Sequence, residues 1–128
     1  MAEQTAFPPS DELLEMEGAA AQYAAAEQYW NGSGGAPDPA RAIKWYVKAA
    51  ERGFAEAQYR LGRLYEDGQC VSRNFWLAAQ WYRRAAEQEH GAAQYRLAAC
   101  YEYGHGVMQN RDAAQYWYSK AEENGYSG

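Results

Sequence analysis

The sequence predicts an all-α protein in which pairs of helices stack into a right-handed α-solenoid. Three observations lead to this fold class. Alanine, the best helix former, carries much of the apolar composition. The β-branched residues that favour strands are scarce, and the chain repeats its own pattern at an offset of 36 residues. A single helix pair cannot bury its apolar face, so consecutive pairs must stack on one another.

The repeat is clearest in the aromatic residues. Tyr23, Tyr59 and Tyr95 fall in register, as do the pairs Trp45-Tyr46, Trp81-Tyr82 and Trp117-Tyr118. No gap is needed in any copy. The register gives repeats at residues 19–54, 55–90 and 91–126, within one domain at residues 10–128, an ordinary size for a single domain.

Within each copy the shared apolar positions have helical spacing. Ala57, Leu61 and Tyr65 lie four residues apart and so share one helix face, as do Trp81 and Ala85. Each repeat is therefore predicted to be two short helices. One position of the first helix is always small, which would let a neighbouring helix approach closely: Ala26, Gly62 and Ala98.

A glycine-bearing turn is predicted between the two helices of each repeat. Gly68 and Gly104 can take the left-handed conformation that ends a first helix. The turn finishes on an Asp or Asn, whose side-chain oxygen suits the N-cap of the second helix: Asp38, Asn74 and Asn110.

The ends of the chain are predicted to differ from the repeats. Residues 1–9 are typical of a disordered tail, and Ser10 suits the N-cap of a capping segment at residues 10–18. We expect Leu13, Leu14 and Met16 to cover the open end of the first repeat. At the other end no extra capping helix follows the third repeat, although solenoids usually need one, so self-association through this end stays open.

Charge and hydropathy exclude two classes of partner. The formal net charge is −5, whereas proteins that bind phosphate backbones concentrate Lys and Arg. A basic protein or peptide is the better-matched partner. No apolar run approaches the length of a membrane span, and the first residues do not form a secretory signal. We expect a cytoplasmic protein, with a trimmed signal as the open alternative.

Catalytic and metal-binding signatures are absent from the motifs searched. His90 and His105 are expected to be solvent-exposed loop residues, and the acidic residues near the ends of the first helices are expected to be solvated surface. No cofactor or metal is predicted, and we expect the protein not to be an enzyme. Cys70 and Cys100 lack metal spacing, and two reduced thiols are favoured over a disulfide, which stays open.

The aligned pattern, A-x-x-x-L-G-x-x-Y-x-x-G-x-G-V, then a capping residue, then A-x-x-W-Y-x-x-A-A, resembles the Sel-one-like repeat, a relative of the tetratricopeptide repeat. The resemblance covers about residues 19 to 126. The first copy departs from it, with Ala25 for the helix leucine and Gly35 for the turn valine. In the second copy Cys70 stands where a second turn glycine is expected, which Gly106 keeps in the third.

The resemblance implies that the first helices line a concave face that binds a protein or peptide. Transferred onto this chain, that geometry gives ten candidate contact residues: Tyr23, Glu27, Trp30, Tyr59, Arg63, Glu66, Asp67, Tyr95, Glu102 and Tyr103. The competing interpretation is that the three tyrosines belong to the ordinary packing of the repeat. We expect an interaction module or adaptor, with an inhibitor or immunity-type protein that occludes an enzyme or toxin as the alternative.

Overall fold

The computed structural model describes residues 8–128, and these form seven α-helices and no β-strand. The predicted disordered tail falls mainly on residues 1–7, which lie outside the described part. The helices are α1 (Asp11–Glu15), α2 (Ala19–Asn31), α3 (Pro39–Glu51), α4 (Ala55–Asp67), α5 (Phe75–Ala86), α6 (Gly91–Tyr103) and α7 (Arg111–Glu123).

Six of these helices form three pairs, α2 with α3, α4 with α5 and α6 with α7. The two helices of each pair pack together, and each second helix then packs against the first helix of the next pair, α3 on α4 and α5 on α6. Alanines fill the narrow space between them, and fully buried Trp45, Tyr46 and Tyr82 supply the bulk. The predicted all-α solenoid of three helix pairs is confirmed.

The predicted turn chemistry is also present. Gly32, Gly68 and Gly104 end the first helices with φ of 78°, 68° and 70°. The second helices begin on the three predicted N-caps, whose side-chain oxygens accept from a backbone N–H three residues on, at 3.1 Å for Asp38, 2.9 Å for Asn74 and 3.0 Å for Asn110.

The second turn position distinguishes the second repeat from the third. Gly106 has φ of 78°, and a Cβ built there would lie 2.1 Å from the carbonyl oxygen of Phe75. Only glycine therefore suits this site. Cys70 adopts the same left-handed conformation, with φ of 63°, and carries the strain that a side chain meets in it.

The helix α1 is a single turn that takes the place of a missing second helix. Leu14 stands 36 residues before Ala50 and is buried like it. Leu13 and Met16 are 56% and 83% exposed, so the expectation that all three residues cover the open end is wrong for these two. One turn of helix presents only one side chain to the core.

Asp11 anchors α1 to α3. Its carboxylate accepts from Lys44 Nζ at 3.1 Å and from the Trp45 indole N–H at 3.2 Å. Burial acts to raise the pKa of Asp11, but the bonds from Lys44 and Trp45 and the charge of Arg41 outweigh it, so the pKa lies below its usual value. The ionised form of Asp11 therefore stabilises the cap.

A buried glutamine joins each repeat to the element before it. Gln22, Gln58 and Gln94 are at most 3% exposed. Each donates its side-chain N–H to a carbonyl oxygen eight residues earlier, that of Leu14 at 2.8 Å, Ala50 at 3.0 Å and Ala86 at 3.0 Å.

The other end of these glutamines is paired in two repeats only. The Oε1 atom of Gln58 accepts from Gln88 at 3.0 Å, and that of Gln94 accepts from Asn124 at 2.9 Å. The Oε1 atom of Gln22 is buried without a protein partner, because the aligned Arg52 instead donates to the carbonyl oxygen of Glu17. The first junction is therefore the least satisfied.

Candidate protein-binding surface

The three row tyrosines, Tyr23, Tyr59 and Tyr95, project from α2, α4 and α6, the first helices of the repeats. Each is partly buried and packs between two rings, one from the second helix of its own repeat and one from the junction that follows. Centroid distances are 5.8 and 5.2 Å for Tyr23 with Tyr46 and Phe54, 6.0 and 4.9 Å for Tyr59 with Tyr82 and His90, and 5.0 and 5.5 Å for Tyr95 with Tyr118 and Tyr126. These contacts give the row a packing role in every repeat.

Three of the candidate carboxylates accept hydrogen bonds from second-helix tyrosines. Glu66 accepts from the Tyr82 hydroxyl and Glu102 from the Tyr118 hydroxyl at 2.6 Å. These two glutamates align. In the first repeat Trp30 holds the aligned position, and Glu27, about one helical turn earlier, accepts from the Tyr46 hydroxyl instead.

Burial and these carboxylates raise the pKa of the tyrosine hydroxyls. Burial is the larger cause for Tyr46, Tyr82 and Tyr118, followed by the hydrogen bond to the glutamate, which needs the hydroxyl proton. The pKa of Tyr23 is raised to about 12 by burial and by the charge of Glu27. All four hydroxyls thus stay protonated at neutral pH.

The arginines of α4 and α6 lie over this layer of rings and carboxylates. The guanidinium of Arg60 stands 5.2 Å from the Trp30 ring centroid. Arg63 donates to the Tyr59 hydroxyl at 3.1 Å and lies 3.9 Å from the Asp67 carboxylate. Arg96, aligned with Arg60, lies 3.7 Å from Glu66. The first-helix face, meaning the exposed sides of α2, α4 and α6, therefore carries both signs of charge.

A shallow groove of about 150 Å³ opens between α2 and α4, and it collects three of the candidate residues and several that sequence reasoning missed. Its lining residues are Tyr23, Glu56, Tyr59, Arg60, Arg63, Leu64, Asp67 and Gln69. The side chains of Arg63 and Asp67 keep 38% and 50% of their exposure. Tyr103, at the end of α6, is 64% exposed. Since Arg63, Asp67 and Tyr103 serve no contact that recurs in all three repeats, they are the candidates most free for a partner.

Arg60 and Glu56 were missed for different reasons. Arg60 belongs to the repeated "AQYRL" segment and was assigned to the architecture, although Ala24 at its aligned position shows that the repeat does not require it. Glu56 pairs across the junction with His90, whose Nε2 lies 2.9 Å from the carboxylate. Neither contact has a signature in the sequence.

The expectation that His90 and His105 are exposed loop residues is wrong. The His90 side chain is only 16% exposed, and its Nδ1 accepts from the Ala93 backbone N–H as the N-cap of α6. His105 stacks on Phe75 with ring centroids 4.4 Å apart. His90 fills the junction position that Phe54 and Tyr126 hold in the other repeats, where a ring must cover the row tyrosine.

Other chemistry is limited in the part of the chain that the structure describes. Residues 8–128 contain no group of His, Cys, Asp and Glu side chains that could hold a metal ion. Cys70 is exposed and Cys100 buried, and both thiols are free. Burial, with a smaller effect of the Glu66 charge, raises the pKa of Cys100 to about 12. None of the helices in residues 8–128 is long and apolar enough to span a membrane.

Stacked helix pairs with a repeating tyrosine, carboxylate and glutamine at each junction define an α-helical repeat protein. The chain belongs to the Sel1 repeat family, whose profile matches residues 19–54, 55–90 and 91–126. Proteins of this family generally act in protein–protein interaction, as scaffolds that are generally not enzymes.

Solved structures of other bacterial proteins share the fold. A Sel1 repeat protein from Oxalobacter formigenes is 39% identical, with a TM-score of 0.81 over 84% of this chain and 81% of that chain. A protective antigen of uropathogenic Escherichia coli strains, which displays a Sel1-like repeat fold, is 31% identical, with a TM-score of 0.84 over 90% of this chain. This chain covers only 25% of that antigen.

A more distant structure agrees in fold alone. The cysteine-rich protein B of Helicobacter pylori is 21% identical, with a TM-score of 0.70 over 84% of this chain and 91% of that chain. No curated protein sequence matches the chain.

Proposed function

We propose that the protein is a non-enzymatic adaptor that holds a protein or peptide against its first-helix face. One observation carries the proposal: Arg63 and Asp67 are exposed beside the groove and differ from their aligned residues in the other repeats. Positions that the fold does not dictate, on a surface with aromatic rings beneath them, have the composition of a recognition surface.

Among the ten candidate residues, the contacts favour different roles. We assign Tyr23, Tyr59 and Tyr95 to the floor of the binding surface, since their rings are held in place by neighbours. Glu27, Glu66 and Glu102 position the second-helix tyrosines, and Trp30 lies under Arg60. Direct partner contact then falls to three exposed side chains: Arg63, Asp67 and Tyr103.

A basic partner suits this surface. The net charge of −5 draws cationic molecules towards the chain. Asp67 and Glu56 both keep 50% of their side-chain exposure, so their carboxylates are available to rim contacts, which mainly speed association. We place this activity in a single domain at residues 10–128 and in the cytoplasm, where Cys70 and Cys100 would stay reduced.

The test uses a matched pair of double variants. Arg63→Ala with Asp67→Ala removes one positive and one negative side chain from the first-helix face. Arg84→Ala with Glu87→Ala makes the same charge change on the exposed side of α5. Proteins captured from a lysate of the native cells by the wild type and the α5 variant, but lost with the first-helix variant, support the proposal. Equal capture by both variants contradicts it.

Two alternatives predict different measurements. If the protein is an inhibitor or immunity-type protein, adding it to its captured partner abolishes the partner's activity at a one-to-one ratio, whereas an adaptor leaves that activity intact. If the C-terminal end pairs with itself, sedimentation velocity shows a mass that grows with concentration in the absence of any partner.

A further inference from the structure

The two inner junctions of the stack share a guanidinium site that recurs along the chain. At the first junction Arg60 of α4 lies over Tyr46 of α3, 5.5 Å from the ring centroid. At the second, Arg96 of α6 lies 3.7 Å from Glu66, which accepts the Tyr82 hydroxyl bond. In both cases the arginine is presented by the helix that covers the tyrosine.

The third repeat has the same acceptor groups without the arginine. Tyr118 of α7 donates to Glu102 at 2.6 Å, as Tyr82 does to Glu66. Within residues 8–128 no lysine or arginine nitrogen lies within 4.0 Å of the Glu102 carboxylate. Tyr46 and Tyr82 are fully buried, whereas Tyr118 is only partly buried.

A depression lies at this place. It has a volume of about 480 Å³ and is lined by Glu102, Tyr103, Gln109, Arg111, Gln115 and Tyr118, with Ala114 at its base. We call it the end slot. Arg111 stands exposed on its rim, and the slot presents one carboxylate and two tyrosine rings to a ligand.

We propose that the end slot binds an arginine side chain presented by an α-helix of a partner protein, seated on α7 as α6 is seated on α5. The charge of Glu102 and the ring of Tyr118 are the groups that receive an arginine at the inner junctions. The inference concerns a different surface from the groove between α2 and α4.

The flanking residues favour a partner helix that is more polar than a helix of the repeats. Gln115 and Glu122 occupy the positions aligned with Ala79 and Ala86, which are each 1% exposed between α5 and α6. Both are exposed on α7. A helix that packs here therefore meets polar side chains around a central arginine contact, which is the arrangement of a reversible interface.

A second copy of the chain does not supply such a helix. Arg60 and Arg96 are already engaged at the inner junctions. The first helix at the open end, α2, has Ala24 at the aligned position and carries α1 packed against it. The arginine must then come from another protein.

The probe is a helical peptide with the sequence of α6, residues 91–103, with Cys100→Ser, blocked ends and a side-chain lactam on its exposed face, because a free helix of this length is marginal in water. It is titrated into the ¹⁵N-labelled full chain. We expect saturable shifts of the amide signals of Gln115, Tyr118 and Glu122. The Arg96→Ala peptide should bind about threefold to fivefold more weakly, the effect of one partly exposed ion pair.

The matched protein variants are Glu102→Gln and Glu123→Gln. The glutamine at 102 still accepts from Tyr118, so the fold is kept, but the charge is lost. We expect Glu102→Gln to weaken the wild-type peptide about threefold to fivefold and to leave the Arg96→Ala peptide unchanged, while Glu123→Gln changes neither. Three results would overturn the proposal: no saturation by millimolar peptide, equal affinity of the two peptides, or shifts centred on α4. Concentration-dependent dimers abolished by Glu102→Gln would also overturn it, in favour of self-association. A failed titration leaves the capture experiment with Arg63 and Asp67 unaffected.

Discussion

The buried glutamines allow a prediction with an internal control. Gln94→Met keeps the length of the side chain and most of its volume, but it removes two hydrogen bonds, one to the Ala86 carbonyl and one from Asn124. Each net hydrogen bond contributes about 1 kcal/mol. We therefore expect Gln94→Met to lower the free energy of unfolding by about 2 kcal/mol.

Gln22→Met makes the same change where the structure predicts a much smaller loss. Only the bond to the Leu14 carbonyl is removed, and the Leu14 oxygen keeps its bond from Glu17. The change also removes the unpaired Oε1 atom, whose burial costs about 1 kcal/mol or more. The two effects nearly cancel, and the expected loss is below about 0.5 kcal/mol.

Urea unfolding followed by tryptophan fluorescence measures both variants, and unchanged m-values would show that the same surface unfolds in each. A loss for Gln22→Met equal to that for Gln94→Met would refute the reasoning. So would a loss below about 0.5 kcal/mol for Gln94→Met, since the junction bonds would then contribute nothing.

Three further predictions follow from single contacts, and each is read from urea midpoints. Tyr82→Phe should cost about 1.5–3 kcal/mol, as expected for a buried bond to a carboxylate, and Tyr118→Phe less than half of that because its ring is partly solvated; equal losses would contradict this. Cys70→Gly should raise stability by about 0.5–1 kcal/mol by relieving a left-handed side chain, whereas Gly106→Ala should lower it, and a loss from the first or a gain from the second would be inconsistent with the turn geometry. Because the folded pKa of Asp11 is lowered, its contribution is present above the unfolded pKa of about 3.9 and lost as pH falls through the folded value; Asp11→Asn should be less stable than wild type at pH 7, with the difference shrinking below about pH 4, and a difference independent of pH would argue against the anchor.

The fold could be predicted because identical residues recur in identical surroundings. Gly68 and Gly104 end first helices, Asn74 and Asn110 cap second ones, and each pair reports the same local geometry twice. Once the 36-residue register was known, the turn, the cap and the small contact position followed from elementary backbone chemistry. Residues that break the register carried no such information.

Other features depend on contacts that the register hides. Glu27 replaces the acceptor lost at Trp30, and this exchange is visible only when the Tyr46 hydroxyl is seen to reach either helical turn. His90 is different, because the aligned Phe54 and Tyr126 signalled a ring at that junction. The length of α1 was not predictable, since a one-turn helix is stabilised by its contacts with α3 rather than by its own sequence.

The central claim, that a partner binds the first-helix face through residues the repeat does not dictate, is tested most directly by isothermal titration of the captured partner into three proteins. These are the wild type, the Arg63→Ala, Asp67→Ala variant and the Arg84→Ala, Glu87→Ala variant. We expect the dissociation constant to rise at least tenfold for the first variant, as for loss of contacts that together contribute about 1.4 kcal/mol or more, and to stay within twofold for the second. An unchanged constant for the first variant, with both proteins folded, would contradict the claim.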